Sequence, residues 1–326
     1  MSGEAMEGTA LSGEAMEGTA LSGEAMEGTA LSGGAPESTA LSGGAPESTA
    51  LSGGAPESTA LSGGAPESTA LSGTGDWFVS GGGAAPWSTR IFCFPHAGGS
   101  PRAFLDWQPG LGTDAEIFAV CRPGREHRAA EPAPTIEEFV DGAAEAVATV
   151  TAADGRPFYL FGHSLGALVA FEVCRKLSGL AELRHFIASG ISAPSLLPSQ
   201  RVKDIARLSG IAFAEAIGFF GGLPAEVIAD EEVRELLLPS LIADFDMAVG
   251  YRYQPGPRLQ VPAVIVVGRD DPHVGAAEIE PWNDEFTSPP ERYLVDGGHF
   301  YFEPEPAPII GILRSLVDAD QHVELI

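Results

Sequence analysis

Most of the chain after residue 88 alternates between short, almost wholly apolar runs and stretches in which apolar residues recur every three or four positions. Apolar runs without a polar side are typical of parallel strands covered on both faces, and the intervening pattern is typical of helices. The sequence therefore predicts an α/β fold, with a mostly parallel central sheet and helices on both faces. Strands are predicted at Arg90–Phe94, Ile117–Pro123, Arg184–Ser192, Val261–Val267 and Arg292–Val295, and in a run ending at Gly162.

The same pattern places the helices that cover this sheet. One of them opens on a capping box, Thr135-Ile-Glu-Glu138, in which the threonine and the glutamate can satisfy each other's backbone N–H groups. Helices are predicted at Arg102–Trp107, from Thr135 to about Thr151, from the run ending at Gly162 to about Leu180, and at Ala307–Val317.

The alternation stops between Ala193 and about Gly250, where prolines separate several short helices, including Ile211–Phe220 and Val233–Asp244. Helical segments inserted between two strands of such a sheet usually form a lid over the active site. We therefore expect a lid at about 193–250, and the alternative is a helical subdomain that does not move. Four glycines are available as hinges: Gly210, Gly218, Gly221 and Gly222.

The first 73 residues have a different composition. Seven tandem decapeptides fill residues 1–70, three of the form (M/L)SGEAMEGTA and four LSGGAPESTA, and the pattern restarts once at 71–73. Roughly one large apolar side chain per repeat cannot offset the entropy of ordering the segment. We predict a disordered acidic tail at 1–73, a glycine-rich linker at 74–87 and a folded domain at 88–326; a docking or spacer role for the tail is the alternative.

The charge of the chain restricts its partners. The formal net charge is −27, of which ten acidic residues in the tail contribute −10, so the remainder carries −17. A negative field repels nucleic acid and anionic membrane surfaces, and we exclude both as partners. The three cysteines, Cys93, Cys121 and Cys174, lie in apolar stretches without CxxC pairing, which suits a reducing compartment. With no apolar run near ~20 residues and no signal peptide, we expect a cytoplasmic protein.

The pentapeptide Gly162-His163-Ser164-Leu165-Gly166 joins an apolar run to a helical pattern. This is the arrangement of a nucleophile elbow, in which a tight strand-to-helix turn exposes the serine hydroxyl and the flanking glycines let the two elements approach. We predict Ser164 as the nucleophile. The alternative is a strand–turn–helix corner without chemistry.

An acid and a base follow at the ends of two later strands. The strand predicted at Val261–Val267 leads into Gly268-Arg269-Asp270-Asp271, and the strand predicted at Arg292–Val295 leads into Asp296-Gly297-Gly298-His299. The chain order serine, acid, histidine is that of α/β-hydrolases. We predict Asp271 as the acid, because the third residue after the strand-ending glycine usually faces the histidine loop. The neighbouring Asp270 leaves this choice open by one residue.

The loop Pro95–Ser100 precedes the elbow by one strand–helix unit, where such hydrolases place the second oxyanion donor. We predict the backbone N–H groups of Ala97 and Leu165 as this pair; an ordinary glycine-rich turn is the alternative. His96, His163 and Phe300 are candidate substrate contacts, although the two histidines have structural alternatives, within the loop and beside the elbow.

The remaining histidines, His127, His185 and His273, are interpreted as surface or structural residues. No cluster has metal-ligand spacing, and no glycine-rich loop carries the Lys-Ser/Thr of a phosphate cradle. The sequence therefore predicts neither a metal nor a bound cofactor.

Six motifs in order make the chain resemble the stand-alone type II thioesterases of polyketide and nonribosomal peptide pathways. The resemblance covers Ser88 to about Val317 and implies hydrolysis of acyl groups from the phosphopantetheine arm of an acyl carrier or peptidyl carrier protein, which removes aberrant or stalled units. We expect a monomer acting on such a carrier. The motifs are FPHAGGS (94–100), PGREHR (123–128), GHSLGA (162–167), YRYQP (251–255), GRDDPHV (268–274) and GGHFYF (297–302).

Three other interpretations stay open. A carboxylesterase or lipase is disfavoured because those enzymes more often carry an HGGG-type motif at the position of the Pro95–Ser100 loop. A non-catalytic binding protein is disfavoured because serine, acid and histidine are all present. A product-releasing thioesterase fits the same resemblance, but the lack of a carrier domain in a chain that starts at Met1 favours the editing form.

Overall fold

The computed structural model describes residues 76–82, 88–219 and 222–324. Within these residues seven strands form one sheet in the order β1-β3-β2-β4-β5-β6-β7. Every neighbouring pair is parallel except β1 with β3. The predicted α/β fold with a mostly parallel sheet is therefore confirmed. The strands are β1 (Phe78–Ser80), β2 (Thr89–Phe94), β3 (Ala115–Val120), β4 (Phe158–His163), β5 (Leu183–Ser189), β6 (Ala263–Gly268) and β7 (Glu291–Val295).

Ten α-helices are found in the described residues, with three short 3₁₀ turns between them. The predicted capping box at the start of α3 is present, with both reciprocal hydrogen bonds between Thr135 and Glu138. The helices are α1 (Arg102–Leu105), α2 (Gln108–Leu111), α3 (Ile136–Asp154), α4 (Leu165–Leu177), α5 (Gln200–Ile205), α6 (Gly210–Gly218), α7 (Ala225–Ala229), α8 (Glu231–Gly250), α9 (Ala276–Ile279) and α10 (Ala307–Glu324).

The inner strands β2, β3, β4 and β6 are buried on both faces, which explains their continuous apolar runs. Alternate residues of β2 enter different cores: Phe92 and Phe94 pack with α3 and α4, and Ile91 and Cys93 pack with α1, α2 and α10. Because the carboxyl ends of the parallel strands share one edge of the sheet, the loops that follow them converge there.

The segment 74–87 is not only a linker, and that prediction is wrong for Phe78–Ser80. These residues form the edge strand β1, antiparallel to β3, and Phe78 is 7% exposed. Trp77 stacks on Phe139 of α3 with ring centroids 6.1 Å apart, and the Arg128 guanidinium lies 4.1 Å from the centre of its indole. The folded domain therefore begins before Ser88.

Residues 193–250, here called the lid segment, are inserted between β5 and β6, and their described part contains several helices, as predicted. Their apolar faces build a separate core that includes Phe213, Leu241 and Phe245. Pro239 does not end a helix; it lies inside the 20-residue α8. Of the predicted hinges, Gly210 has a left-handed φ of 53°, and Gly221 lies outside the described residues. Movement of the segment stays a prediction.

Several predicted boundaries differ from the observed ones by a few residues. The helix predicted at Arg102–Trp107 ends at Leu105, and a second short helix begins at Gln108 with Pro109 in its first turn, where no backbone N–H is needed. The predicted tail at 1–73 lies outside the described residues. No helix among the described residues is long and apolar enough to cross a membrane.

Candidate active site

Ser164 occupies the turn between β4 and α4 with strained backbone angles, φ 52° and ψ −123°. A positive φ at a residue with a side chain costs of the order of 1–3 kcal/mol and persists only where the surroundings enforce it. One such constraint is the hydrogen bond from the Ser164 N–H to the carbonyl oxygen of Ser189 at the end of β5, at 2.8 Å. The residue is partly exposed, so its hydroxyl is accessible.

The two elbow glycines are required by the close approach of backbone segments. A Cβ atom on Gly162 would lie 2.5 Å from Cα of Ala167, within the following helix. A Cβ atom on Gly166 would lie 2.5 Å from the carbonyl oxygen of Pro95 and would overlap that of Phe94. Gly166 thus lets α4 begin directly against the loop that follows β2, which brings this loop beside Ser164.

His299 lies on the loop after β7, and its Nδ1 donates to Oδ2 of Asp271 at 2.8 Å. The Asp271 side chain is fully buried, and its second oxygen, Oδ1, accepts the backbone N–H of His273 at 2.9 Å. Asp270 is exposed to solvent. Of the two adjacent carboxylates, the one that reaches the imidazole is therefore Asp271, the residue chosen from the sequence.

A cavity of about 470 Å³ opens at this edge of the sheet, and Ser164 and His299 both line it. Ala97 and Leu165, the predicted oxyanion residues, line it as well. Most of the other walls are apolar and several belong to the lid segment: Leu168, Ile191, Leu196, Leu197, Pro198, Val202, Phe245, Ala248 and Val274. The cavity can therefore hold an apolar chain next to the serine.

The backbone donors at the cavity separate into engaged and unengaged groups. In the loop after β2, the Gly98 N–H donates to Oδ2 of Asp244 at 2.7 Å and the Gly99 N–H donates to the His96 carbonyl oxygen at 2.9 Å. In the described part of the chain, the N–H groups of Ala97 and Leu165 find no acceptor. Two unengaged backbone donors in one cavity wall are what an oxyanion hole needs.

None of the three predicted substrate contacts is among the residues that line this cavity. The ring of His163 is fully buried, with Nδ1 2.9 Å from Ser189 Oγ, so its prediction as a substrate contact is wrong. His96 and Phe300 are partly buried and pack edge to face with centroids 4.8 Å apart. Ser189 Oγ is also 2.8 Å from the Tyr301 hydroxyl, and this buried network braces the end of β5 that holds Ser164.

The histidines around His299 are held in their neutral form. Burial, with the nearby His299, lowers the pKa of His96 to about 4 and the pKa of His163 well below its usual value. Burial, together with Arg201, lowers the pKa of His273 to about 4. At neutral pH these three rings therefore add no positive charge beside His299.

Sequence reasoning missed two features of the site. His273 was interpreted as surface or structural, but it lines the cavity with its ring centroid 5.7 Å from that of His299; its place two residues after Asp271 was the available signal. The second feature is the buried carboxylate of Asp244, which pairs with Arg122 and Arg125. A lone aspartate in the apolar stretch of a predicted helix was its only sequence signal.

Among the residues that the structure describes, no group of three or more histidine, cysteine or acidic side chains is arranged to hold a metal ion. The three cysteines are buried free thiols. Burial raises the pKa of the Cys121 thiol to about 11, which keeps it protonated and unreactive at neutral pH.

Comparison with known proteins gives consistent matches over this domain. The family profile described as thioesterase domain matches residues 89–314. The chain is 35% identical to thioesterase PikA5 of Streptomyces venezuelae over 66% of this chain and 75% of that protein.

Solved structures of two type II thioesterases also match the chain. One is the type II thioesterase BorB from the borrelidin biosynthetic cluster, with 31% identity, a TM-score of 0.66 and coverage of 74% of this chain and 97% of that one. Another is YbtT, the type II thioesterase from the yersiniabactin NRPS/PKS biosynthetic pathway, with 27% identity, a TM-score of 0.67 and coverage of 74% and 98%.

Proposed function

The chain belongs to the thioesterase domain family and has the α/β-hydrolase fold of type II thioesterases, and we propose that it hydrolyses acyl groups from the phosphopantetheine arm of carrier proteins. In this role it removes aberrant or stalled acyl units from a polyketide or nonribosomal peptide synthase. The observation that carries the proposal is the meeting of Ser164, His299 and two unengaged backbone donors in one apolar cavity.

In the proposed first half-reaction, Ser164 Oγ attacks the thioester carbonyl carbon and its proton passes to Nε2 of His299. The hydrogen bond from Nδ1 to Asp271 fixes the tautomer that leaves Nε2 for this task, and the carboxylate stabilises the imidazolium. The negative oxygen of the tetrahedral intermediate accepts the N–H groups of Ala97 and Leu165. The C–S bond then breaks, and the thiol leaves with the proton from His299.

In the second half-reaction a water molecule gives a proton to His299 and attacks the acyl carbon bound to Ser164 Oγ. The same two backbone donors hold the oxyanion, and His299 returns the proton to Ser164 as the carboxylic acid leaves. The apolar walls at Leu168, Ile191 and Phe245 suit an acyl chain, while the thioester end lies at the serine.

The test follows the acyl groups on an intact carrier protein by mass spectrometry after incubation with the wild-type enzyme and with Ser164→Ala. Acetyl, propionyl and longer acyl groups are compared, and p-nitrophenyl esters are assayed alongside. Ser178→Ala is the matched control, because Ser178 is an exposed serine at the far end of the same helix and, among the described residues, its hydroxyl donates only to the Arg175 carbonyl.

We expect the wild type and Ser178→Ala to strip the carrier, with short or aberrant acyl groups leaving readily, and Ser164→Ala to leave it loaded. If the esters are cleaved while the carrier stays loaded, the protein is an esterase of small substrates and the proposed editing role is wrong. Release of only one full-length product would replace it by a product-releasing thioesterase.

A further inference from the structure

Resting on the proposed function, we infer that Asp244 is a positioning residue that aligns the oxyanion loop only while the lid segment is seated. The oxyanion loop is Pro95–Ser100, which carries the Ala97 N–H. Asp244 lies on α8 of the lid segment, 146 residues after Gly98 of this loop. It takes part in no proposed bond-making step.

The carboxylate of Asp244 joins three separate parts of the chain. It is 1% exposed, and its Oδ2 accepts both the Gly98 N–H at 2.7 Å and a guanidinium N–H of Arg125 at 2.6 Å. Its Oδ1 pairs with Arg122. Hydrogen bonds from charged donors to a buried carboxylate are strong and geometrically demanding, so this group fixes the position of the Gly98 amide.

Gly98 is held against α8 by shape as well as by this hydrogen bond. Its φ is +79°, in the left-handed region that favours glycine, and a Cβ atom there would lie 2.8 Å from Cδ1 of Leu241. The lid helix therefore lies directly on the oxyanion loop. The peptide joining Ala97 to Gly98 is fixed on its Gly98 side by α8 and cannot rotate independently of it.

This arrangement also selects the oxyanion donor. The Gly98 N–H is occupied by Asp244 and the Gly99 N–H by the His96 carbonyl oxygen, which closes the turn. The Ala97 N–H, on the residue that lines the cavity, is left for the substrate. Asp244 thus directs the neighbouring amide to the substrate by occupying the competing one.

The two arginines make the coupling cooperative. Both come from the segment directly after β3, and Arg125 also donates to the hydroxyl and the carbonyl oxygen of Ser240, at 2.7 and 3.0 Å, one turn before Asp244 on α8. Displacing α8 would break these contacts together and leave the buried guanidinium of Arg122 and the partly buried one of Arg125 without their carboxylate. The oxyanion loop is therefore held in place only when the lid segment is seated, and a displaced lid segment leaves the loop without these contacts.

The first variant is Asp244→Asn, which keeps the side-chain shape and removes the charge. Its matched control is Asp246→Asn on the same helix, since Asp246 is exposed and makes no side-chain hydrogen bond or ion pair among the described residues. The assays measure kcat and KM on an acyl carrier protein and on a small acyl thioester, the dissociation constant of an alkyl boronic acid, and hydrogen exchange at the Gly98 amide. A boronic acid forms a tetrahedral adduct with serine and so reports on the oxyanion site.

Removal of one oxyanion donor typically lowers kcat about 10²- to 10³-fold, so a displaced donor should cost about 10- to 100-fold. We expect Asp244→Asn to lower kcat by this factor on both substrates with KM within about threefold. Boronate binding should weaken in parallel, and Gly98 exchange should become faster. Asp246→Asn should match the wild type.

A second variant covers the case in which Asp244→Asn does not fold. Arg125→Lys keeps the charge beside Asp244 and removes the forked contacts to Ser240, and it should lower kcat several-fold without raising KM. A folded variant with wild-type kcat and a raised KM overturns the inference, because Asp244 would then only shape the cavity mouth. Full activity of Ser164→Ala marks a different failure, that of the proposed function itself.

Discussion

Two adjacent aspartates show how one backbone step separates a buried carboxylate from a solvated one. The Asp271 N–H donates to the Gly268 carbonyl oxygen in a tight turn, and the Asp270 N–H donates to that of Gly297 on the histidine loop. This turn directs the Asp271 side chain to His299, 2.8 Å away, while Asp270 remains exposed. The pair is therefore a built-in comparison for the proposed role of the acid.

We predict that Asp271→Asn lowers kcat by about 10³- to 10⁴-fold, because the amide no longer holds the imidazole in the required tautomer or stabilises the imidazolium. Asp270→Asn removes the same charge one residue away and should leave kcat within about twofold. Steady-state kinetics on an acyl thioester measure both, and thermal unfolding checks that each variant is folded. A larger loss in Asp270→Asn than in Asp271→Asn would show that the acid is assigned wrongly.

The parts of the site that were predictable from sequence depend on local constraints. Ser164 stands out because a strand, a turn and a helix must meet within five residues, and the glycines on either side are fixed by that geometry. Asp244 was not predictable, since its partners lie 119 and 146 residues away and only the folded chain brings them together. His163 was misread because the sequence does not show that its ring is fully buried, packed edge to face on Phe302 with Nδ1 2.9 Å from Ser189 Oγ.

At the level of elements, the buried strands were predicted because each is apolar on both faces. The predicted strand ends differ from the observed ones, because they depend on the loops that follow. The edge strand β1 was missed because three residues with one antiparallel neighbour give no periodic signal. The helix predicted at Val233–Asp244 extends in the structure from Glu231 to Gly250, and it contains Pro239, which costs stability inside a helix. Tertiary packing of Leu238, Leu241 and Phe245 outweighs that local cost.

Two truncations test whether the domain begins at β1. Removal of residues 1–73 leaves every residue of the proposed site and the strand β1, so kcat/KM should stay within about twofold. Removal of residues 1–87 also deletes β1 and exposes the face that Phe78 and Trp77 cover. Since loss of one buried aromatic side chain costs about 3–5 kcal/mol, the longer truncation should lower the free energy of unfolding by at least about 3 kcal/mol.

Urea unfolding of the two truncated proteins and the full chain measures this difference. Equal stability of the two truncations would mean that β1 contributes nothing to the fold. A large loss of kcat/KM in the shorter truncation would instead show that the decapeptide repeats take part in catalysis.

At the scale of the whole molecule, an acidic domain surrounds a site in which three histidines, His96, His163 and His273, have lowered pKa values. The −17 charge outside the first 73 residues gives no net attraction to an acidic partner. If the proposed carrier protein is acidic, its recognition has to depend on local surfaces. Within the site, burial opposes a positive charge on His96, His163 and His273. These three rings therefore bind fewer protons in the native state than in the unfolded chain just below pH 6.5, and they link folding to pH.

The sign of this linkage follows from the lowered pKa. For His96 it falls from 6.5 to about 4, so the stability that its neutral ring contributes is complete above pH 6.5 and is lost as the pH falls toward 4. Between pH 7 and pH 5 this one residue accounts for about 2 kcal/mol of lost stability. We predict that His96→Gln, which cannot be protonated, loses about 2 kcal/mol less than the wild type over this interval.

The measurement is the free energy of unfolding in urea at pH 7 and pH 5 for the wild type, His96→Gln and His322→Gln. His322 is exposed on α10 and serves as the matched control, so its substitution should leave the pH dependence unchanged. The carboxylates titrate in all three proteins and cancel in the comparison, which isolates the ring at position 96. The same loss of stability in His96→Gln and the wild type would mean that this ring takes up its proton in the folded state near the ordinary pKa. The protonated ring of His96 would then add positive charge near His299 below neutral pH, and activity should fall there before the fold is lost.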